Sequence, residues 1–139
     1  MSRVVNVDST GKNRNRLMRT AAELLRHLSQ KSEIDAEAKD MAAHLVYCLR
    51  GVEDGIEGSA MAWEKRDYWL KADQLRQRWA WAGNASAAVE AMIRSEAWES
   101  LPGIMVGLLG HFSDIKITKL TRDASEWQGA YQRLLDEVK

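Results

Sequence analysis

From Asp35 to Gly83 the chain has no proline and sets apolar or small residues three and four apart, at Ala42, Leu45, Leu49, Val52, Ile56, Ser59, Trp63 and Leu70. That spacing marks one face of a helix, and it stays in phase through most of the segment. The first expectation is therefore a single long helix over about residues 35–82 with a bend near Gly55 or Gly58. At a rise of about 1.5 Å per residue it would be roughly 70 Å long, more than twice the width of a small domain. Interior glycines each cost about 1 kcal/mol relative to alanine. A break at Gly58 and Ser59, giving an antiparallel hairpin, is the alternative.

The rest of the chain fits the same class. Its 139 residues suffice for one core, and a lone proline, Pro102, among many Ala, Leu, Met, Glu, Arg and Lys residues suits helices. Val4, Val5 and Val7 suggest an extended N-terminal arm over residues 1–12, with Ser9 to Lys12 as an ordinary turn. A single all-α domain over 13–139 follows. Leu17, Met18, Ala21, Leu24, Leu25 and Leu28 define a first helix, and Ser32 or Asp35 caps the second. Gly83 and Asn84 read as a terminator and a cap, followed by helices over Ala85–Trp98 and from Pro102 to about His111, with a last start at Asp123. The expected architecture is a bundle of four to six helices built on one long central helix.

Formal net charge is zero, which argues against nucleic acid as the main partner. The distribution is uneven. Residues 33–67 hold nine acidic side chains against four basic ones, and the preceding segment is rich in arginine, so the two are expected to pair. One cysteine, Cys48, fits a reducing cytoplasm. The most apolar run, Ile104–Leu109, is far too short to cross a bilayer, so no membrane span is expected.

Ala38, Leu45, Leu49, Ile56, Trp63 and Trp81 share one face of the long helix and form its main seam. Beyond Glu64, residues Tyr68, Trp69, Ala72, Leu75, Trp79, Ala80 and Ala82 spread apolar surface around the whole circumference. A helix apolar on all sides must be enclosed. A short chain lacks the material to do so, and a homodimer is the expected remedy. Of the six tryptophans, Trp63, Trp81 and Trp127 fall on buried stripes. Trp69 and Trp79 do not, and with Tyr68 they are the candidate partner-binding residues.

The sharpest chemical pattern is acidic. Glu53, Asp54 and Glu57 precede Glu64 and Asp67, giving E-D-x-x-E and E-x-x-D within fifteen residues. Carboxylates four apart on a helix repel unless neutralised, and a hard cation such as Mg²⁺ can neutralise them through oxygen ligands. The pattern resembles the acidic motifs of the all-α nucleotide pyrophosphatases of the MazG-like family. That resemblance implies Mg²⁺ held by Glu53, Glu57, Glu64 and Asp67 against a nucleotide triphosphate. In that family the two motifs lie on different helices, whereas six residues separate Glu57 from Glu64 here. The bland reading is a solvated acidic stripe met by nearby arginines and lysines. His44 and Cys48 share an i, i+4 spacing without a second ligand pair, and His27 and His111 have no partner in sequence for a catalytic group. From the residues alone the leading functional expectation is a structural or adaptor module acting as a homodimer, with the Mg²⁺-dependent hydrolase as the alternative.

Overall fold

The computed structural model describes residues 7–137. It contains five α-helices: α1 (Val7–Gln30), α2 (Ala36–Lys65), α3 (Trp69–Arg94), α4 (Leu101–Leu108) and α5 (Ala130–Asp136). No strand occurs among the described residues. Short 3-10 turns at Trp98–Ser100, Leu109–Phe112 and Ala124–Glu126 join the later elements. Residues 1–6 of the expected extended arm lie outside the described residues. Residues 7–12 belong to α1, so the turn expected at Ser9–Lys12 is helical instead.

The three long helices form the body, with α2 in the middle. Met18, Ala21, Leu24, Leu25 and Leu28 of α1 are buried against Met41, Ala42, Leu45, Leu49 and Val52 of α2, as the 3.6-residue period requires. Asp35 caps α2, its carboxylate accepting from the Ala38 amide at 2.8 Å. The helix then passes through Gly51, Gly55 and Gly58 without a break. Gly51 has a packing reason. A Cβ there would sit 2.8 Å from a Leu17 methyl, so its bare backbone lets α1 approach closely.

The central helix is 30 residues long and ends at Lys65, which corrects the expectation of a rod reaching residue 82. The chain reverses about two and a half turns beyond Gly58, the nearest preceding glycine. Asp67 takes the left-handed conformation (φ 63°), its amide bonds to the Glu64 carbonyl at 2.9 Å, and the Tyr68 amide reaches back to Trp63 at 2.9 Å. These are the paired bonds of a Schellman motif. Its usual apolar contact is also present, with the Tyr68 ring edge-on to Trp63 at 5.6 Å between centroids. The same device ends α3, where Glu96 has φ 57° and the Glu96 and Ala97 amides bond to Ile93 and Met92. In both turns an acidic residue stands where glycine is usual.

Gly83 does not terminate a helix; it lies inside α3, with Asn84 following in the same helix. The Glu53 carboxylate rests on it, so close that a Cβ would overlap an oxygen at 1.8 Å. The remaining segments close the body. Trp127, Ala130 and Leu134 are buried as their spacing predicts. Arg50 of α2 spans Glu90 of α3 (2.7 Å) and Glu137 beyond α5 (2.9 Å), while Arg94 takes the other Glu90 oxygen at 2.8 Å.

Gly55 faces Thr10, close to the start of α1. Farther out, between residues 57 and 78, only Ala60 and Ala72 are buried. The far half of the α2–α3 hairpin is therefore a two-helix arm with a thin alanine seam.

Candidate functional site

A large cleft lies at the opposite end from that arm. It has a volume of about 900 Å³ and runs between the C-terminal half of α1 and α4. Leu25 and Leu28 of α1 line one side, and Leu101, Met105, Val106 and Leu109 the other. Ile34, Phe112, Ile115 and Ile117 close its ends, and Arg26, Lys31, Glu33 and Glu99 give it a polar rim. Pro102 starts α4 in the first turn, where its missing N–H costs nothing.

No residue of α4 is charged. Leu101 and Leu108 are buried, yet Val106 is 69% exposed and Leu109, just past its end, 57%. In the sequence its signal is the apolar run Ile104–Leu109, which by itself does not show which side of the helix stays in water.

Ile115 and Ile117 of the cleft belong to a segment, residues 115–122, that has no regular structure of its own and is tied to α1 by polar contacts. Glu23, fully buried, accepts from the Thr121 amide (2.6 Å), the Thr121 hydroxyl (2.6 Å), the Arg122 amide (2.9 Å) and Arg19 Nε (2.7 Å). Burial alone would raise its pKa. The hydrogen bonds overcome that and hold it at about 2, against an ordinary value of 4.5. Arg19 and Arg26 also donate to the carbonyls of Lys119 and Ile117. The basic first helix thus spends part of its charge on this loop rather than on the acidic stripe.

The acidic residues are neutralised from another direction. Arg76 of α3 reaches across the arm, with Nη2 2.9 Å from Glu57 Oε1 and Nη1 2.6 Å from Glu64 Oε2. Both carboxyls are held below their usual range chiefly by these hydrogen bonds, and Arg76 is raised in turn. Glu53 lies over Gly83, outside the Arg76 bridge, and Asp67 sits in the turn. A small pocket of about 240 Å³ beside Glu53, Glu57, Arg76, Trp79 and Asn84 has the guanidinium within its lining. Among the described residues no three His, Cys, Asp or Glu side chains group so as to hold a metal ion. What joins the motif residues Glu57 and Glu64 is a cation already built into the chain.

The three candidate partner residues fall in two places. Tyr68 and Trp69 are exposed at the arm's tip, Trp69 by 59%. Trp79 packs on the body, with the Arg14 guanidinium 5.2 Å from its ring centre and Trp81 at 5.9 Å. Trp81 in turn stacks on His111 at 4.1 Å. His44 is 3.8 Å from Glu126, and burial lowers its pKa. Burial pushes the Cys48 thiol up to about 12, so it is a packed thiol and a poor metal ligand.

Fold and site together define an all-α bundle with an apolar cleft beside an uncharged, half-bare helix. No protein-family model, no curated protein and no solved structure matches the chain.

Proposed function

We propose that the chain is a helical interaction module that works as a homodimer, with α4 and its adjoining cleft as the contact. The observation that carries this is the pair Val106 and Leu109, large apolar side chains left in water on the rim of an apolar cleft. Each Å² of such surface covered contributes on the order of 25 cal/mol. A two-fold contact needs one patch to be its own complement. This patch offers both a projecting helix and a groove, which suits a second copy. The expected cause of pairing, a rod too long for its chain to cover, does not apply, because the chain folds back at Asp67. The proposed contact lies at α4 instead.

The cleft's described lining offers a surface for association and no nucleophile paired with a base. A Mg²⁺-dependent hydrolase draws no support from the acidic residues, since Arg76 already bridges Glu57 and Glu64. No helix of the described residues is long and apolar enough to cross a membrane. The single buried thiol of Cys48 supports a reducing, cytoplasmic setting as part of this reading. Sedimentation equilibrium at micromolar concentration tests the proposal. Wild type should be dimeric, and Val106→Glu with Leu109→Glu should be a folded monomer. A monomeric wild type would overturn it.

A further inference from the structure

At the other end of α2, the tip of the arm carries a second apolar surface of different character. The Schellman turn at Asp67 brings Tyr68 against Trp63 and leaves the first residues of α3 facing outward, with Leu70 70% exposed beside Trp69 and near exposed Met61. Residues 65–71 hold three cations, Lys65, Arg66 and Lys71, against Asp67, with Asp73 one turn farther along α3 from Trp69. Glu64, next to them, is taken up by Arg76. Arg66 and Lys71 lie over the Trp63 and Tyr68 rings, at 5.7 and 5.6 Å and at 4.9 and 5.2 Å respectively. Apolar side chains and cations are thus interleaved at one end of the arm.

We propose that this tip docks on an anionic bilayer surface, Trp69 and Leu70 entering the headgroup boundary while Lys65, Arg66 and Lys71 meet lipid phosphates. Tryptophan and tyrosine favour that boundary, and long cationic side chains lay their stems along apolar surface while their charged heads reach phosphate. Anionic lipid adds an attraction for each lysine or arginine near the surface. Exposed apolar side chains flanked by cations suit a surface that sets an anionic layer over an apolar one. The site is independent of the dimer contact. A 30-residue helix separates them by about 45 Å, so a dimer joined at α4 leaves both tips bare.

The test is co-sedimentation of the full chain with vesicles of phosphatidylcholine alone or mixed with phosphatidylglycerol. Wild type should bind the anionic vesicles preferentially and lose binding at high salt, with a blue shift of tryptophan emission. Trp69→Ala with Leu70→Ala, both exposed and outside the core, should weaken binding by at least about tenfold. Asp67→Asn, which removes the carboxylate standing between Arg66 and Lys71 and tolerates the left-handed turn, should tighten it. The Val106→Glu, Leu109→Glu chain should keep its preference for anionic vesicles, which separates this proposal from the dimer. Equal binding to neutral vesicles, or no loss in the Trp69, Leu70 variant, would overturn it. So would capture of a protein through the same two residues by a chain that ignores vesicles.

Discussion

Glu23→Gln is the most informative single change to the cleft. The carboxylate holds the irregular segment beside the cleft onto α1 at Thr121 and Arg122; all four of its hydrogen-bond partners donate to it, and the Arg122 guanidinium adds an ion pair at 3.8 Å. A carboxyl whose pKa falls from 4.5 when unfolded to about 2 when folded favours the native state by about 3 kcal/mol at neutral pH, at about 1.4 kcal/mol per pH unit. Glutamine keeps the shape, loses the charge and turns an N–H₂ toward donors, so it should destabilise the chain by about that amount at pH 7. The sign with pH follows from the lowered value. This contribution is fully present above pH 4.5 and is lost as pH falls from 4.5 toward about 2. Urea unfolding of both chains across that range isolates it, because the other carboxylates titrate equally in each. Amides of residues 115–122 should also exchange faster in the variant. A difference under about 1 kcal/mol at pH 7, or one that stays constant down to pH 2, would refute the role given to this residue.

Three further outcomes follow from the backbone and the core. Gly58→Ala should stabilise the chain by about 1 kcal/mol in thermal or urea unfolding, since nothing lies within 4 Å of the added methyl and the site is mid-helix; a hairpin turn at Gly58 would give the opposite sign. Glu96→Gly should gain roughly 0.5–1 kcal/mol by relieving a left-handed glutamate, less the entropy glycine loses, and Asp67→Gly should gain less because aspartate tolerates that conformation better. Cys48, buried and with its thiol held at about 12, should react with a disulfide reagent at pH 8 only as fast as the chain opens.

The helical class, the first helix, the Asp35 cap and the buried stripe of Trp127, Ala130 and Leu134 were all legible, because each rests on local spacing or a side-chain cap. The end of α2 was not. The hydrophobic phase continues across residues 63–70, and the reversal depends on an aspartate adopting φ 63°, where a proline or glycine would have given the usual signal. Conversely, the glycines that stood out serve contacts at two positions: Gly51 admits Leu17, and Gly83 lies under Glu53. The pairing of Glu57 and Glu64 through Arg76 spans two helices, so spacing along the chain cannot show it. The cleft was hidden for a related reason. The apolar run at residues 104–109 was visible, but which side of it stays in water depends on where α1 and residues 115–117 lie. Trp69 and Trp79 both fall off the main seam, but only the fold shows that Trp69 is exposed together with Tyr68 while Trp79 packs on Trp81 and Arg14.

The claim that α4 is where two copies meet can be tested by distance. Cysteine introduced at Glu99, on the rim of the cleft, and separately at Asp73 near the arm's tip, each carries a nitroxide, while buried Cys48 stays unlabelled. Pulsed electron resonance on the two samples then reports the separation between copies. A dimer joined through α4 gives a resolved distance at position 99 that is shorter than the one at position 73. A shorter distance at position 73, or none at either position under micromolar conditions, would contradict the account.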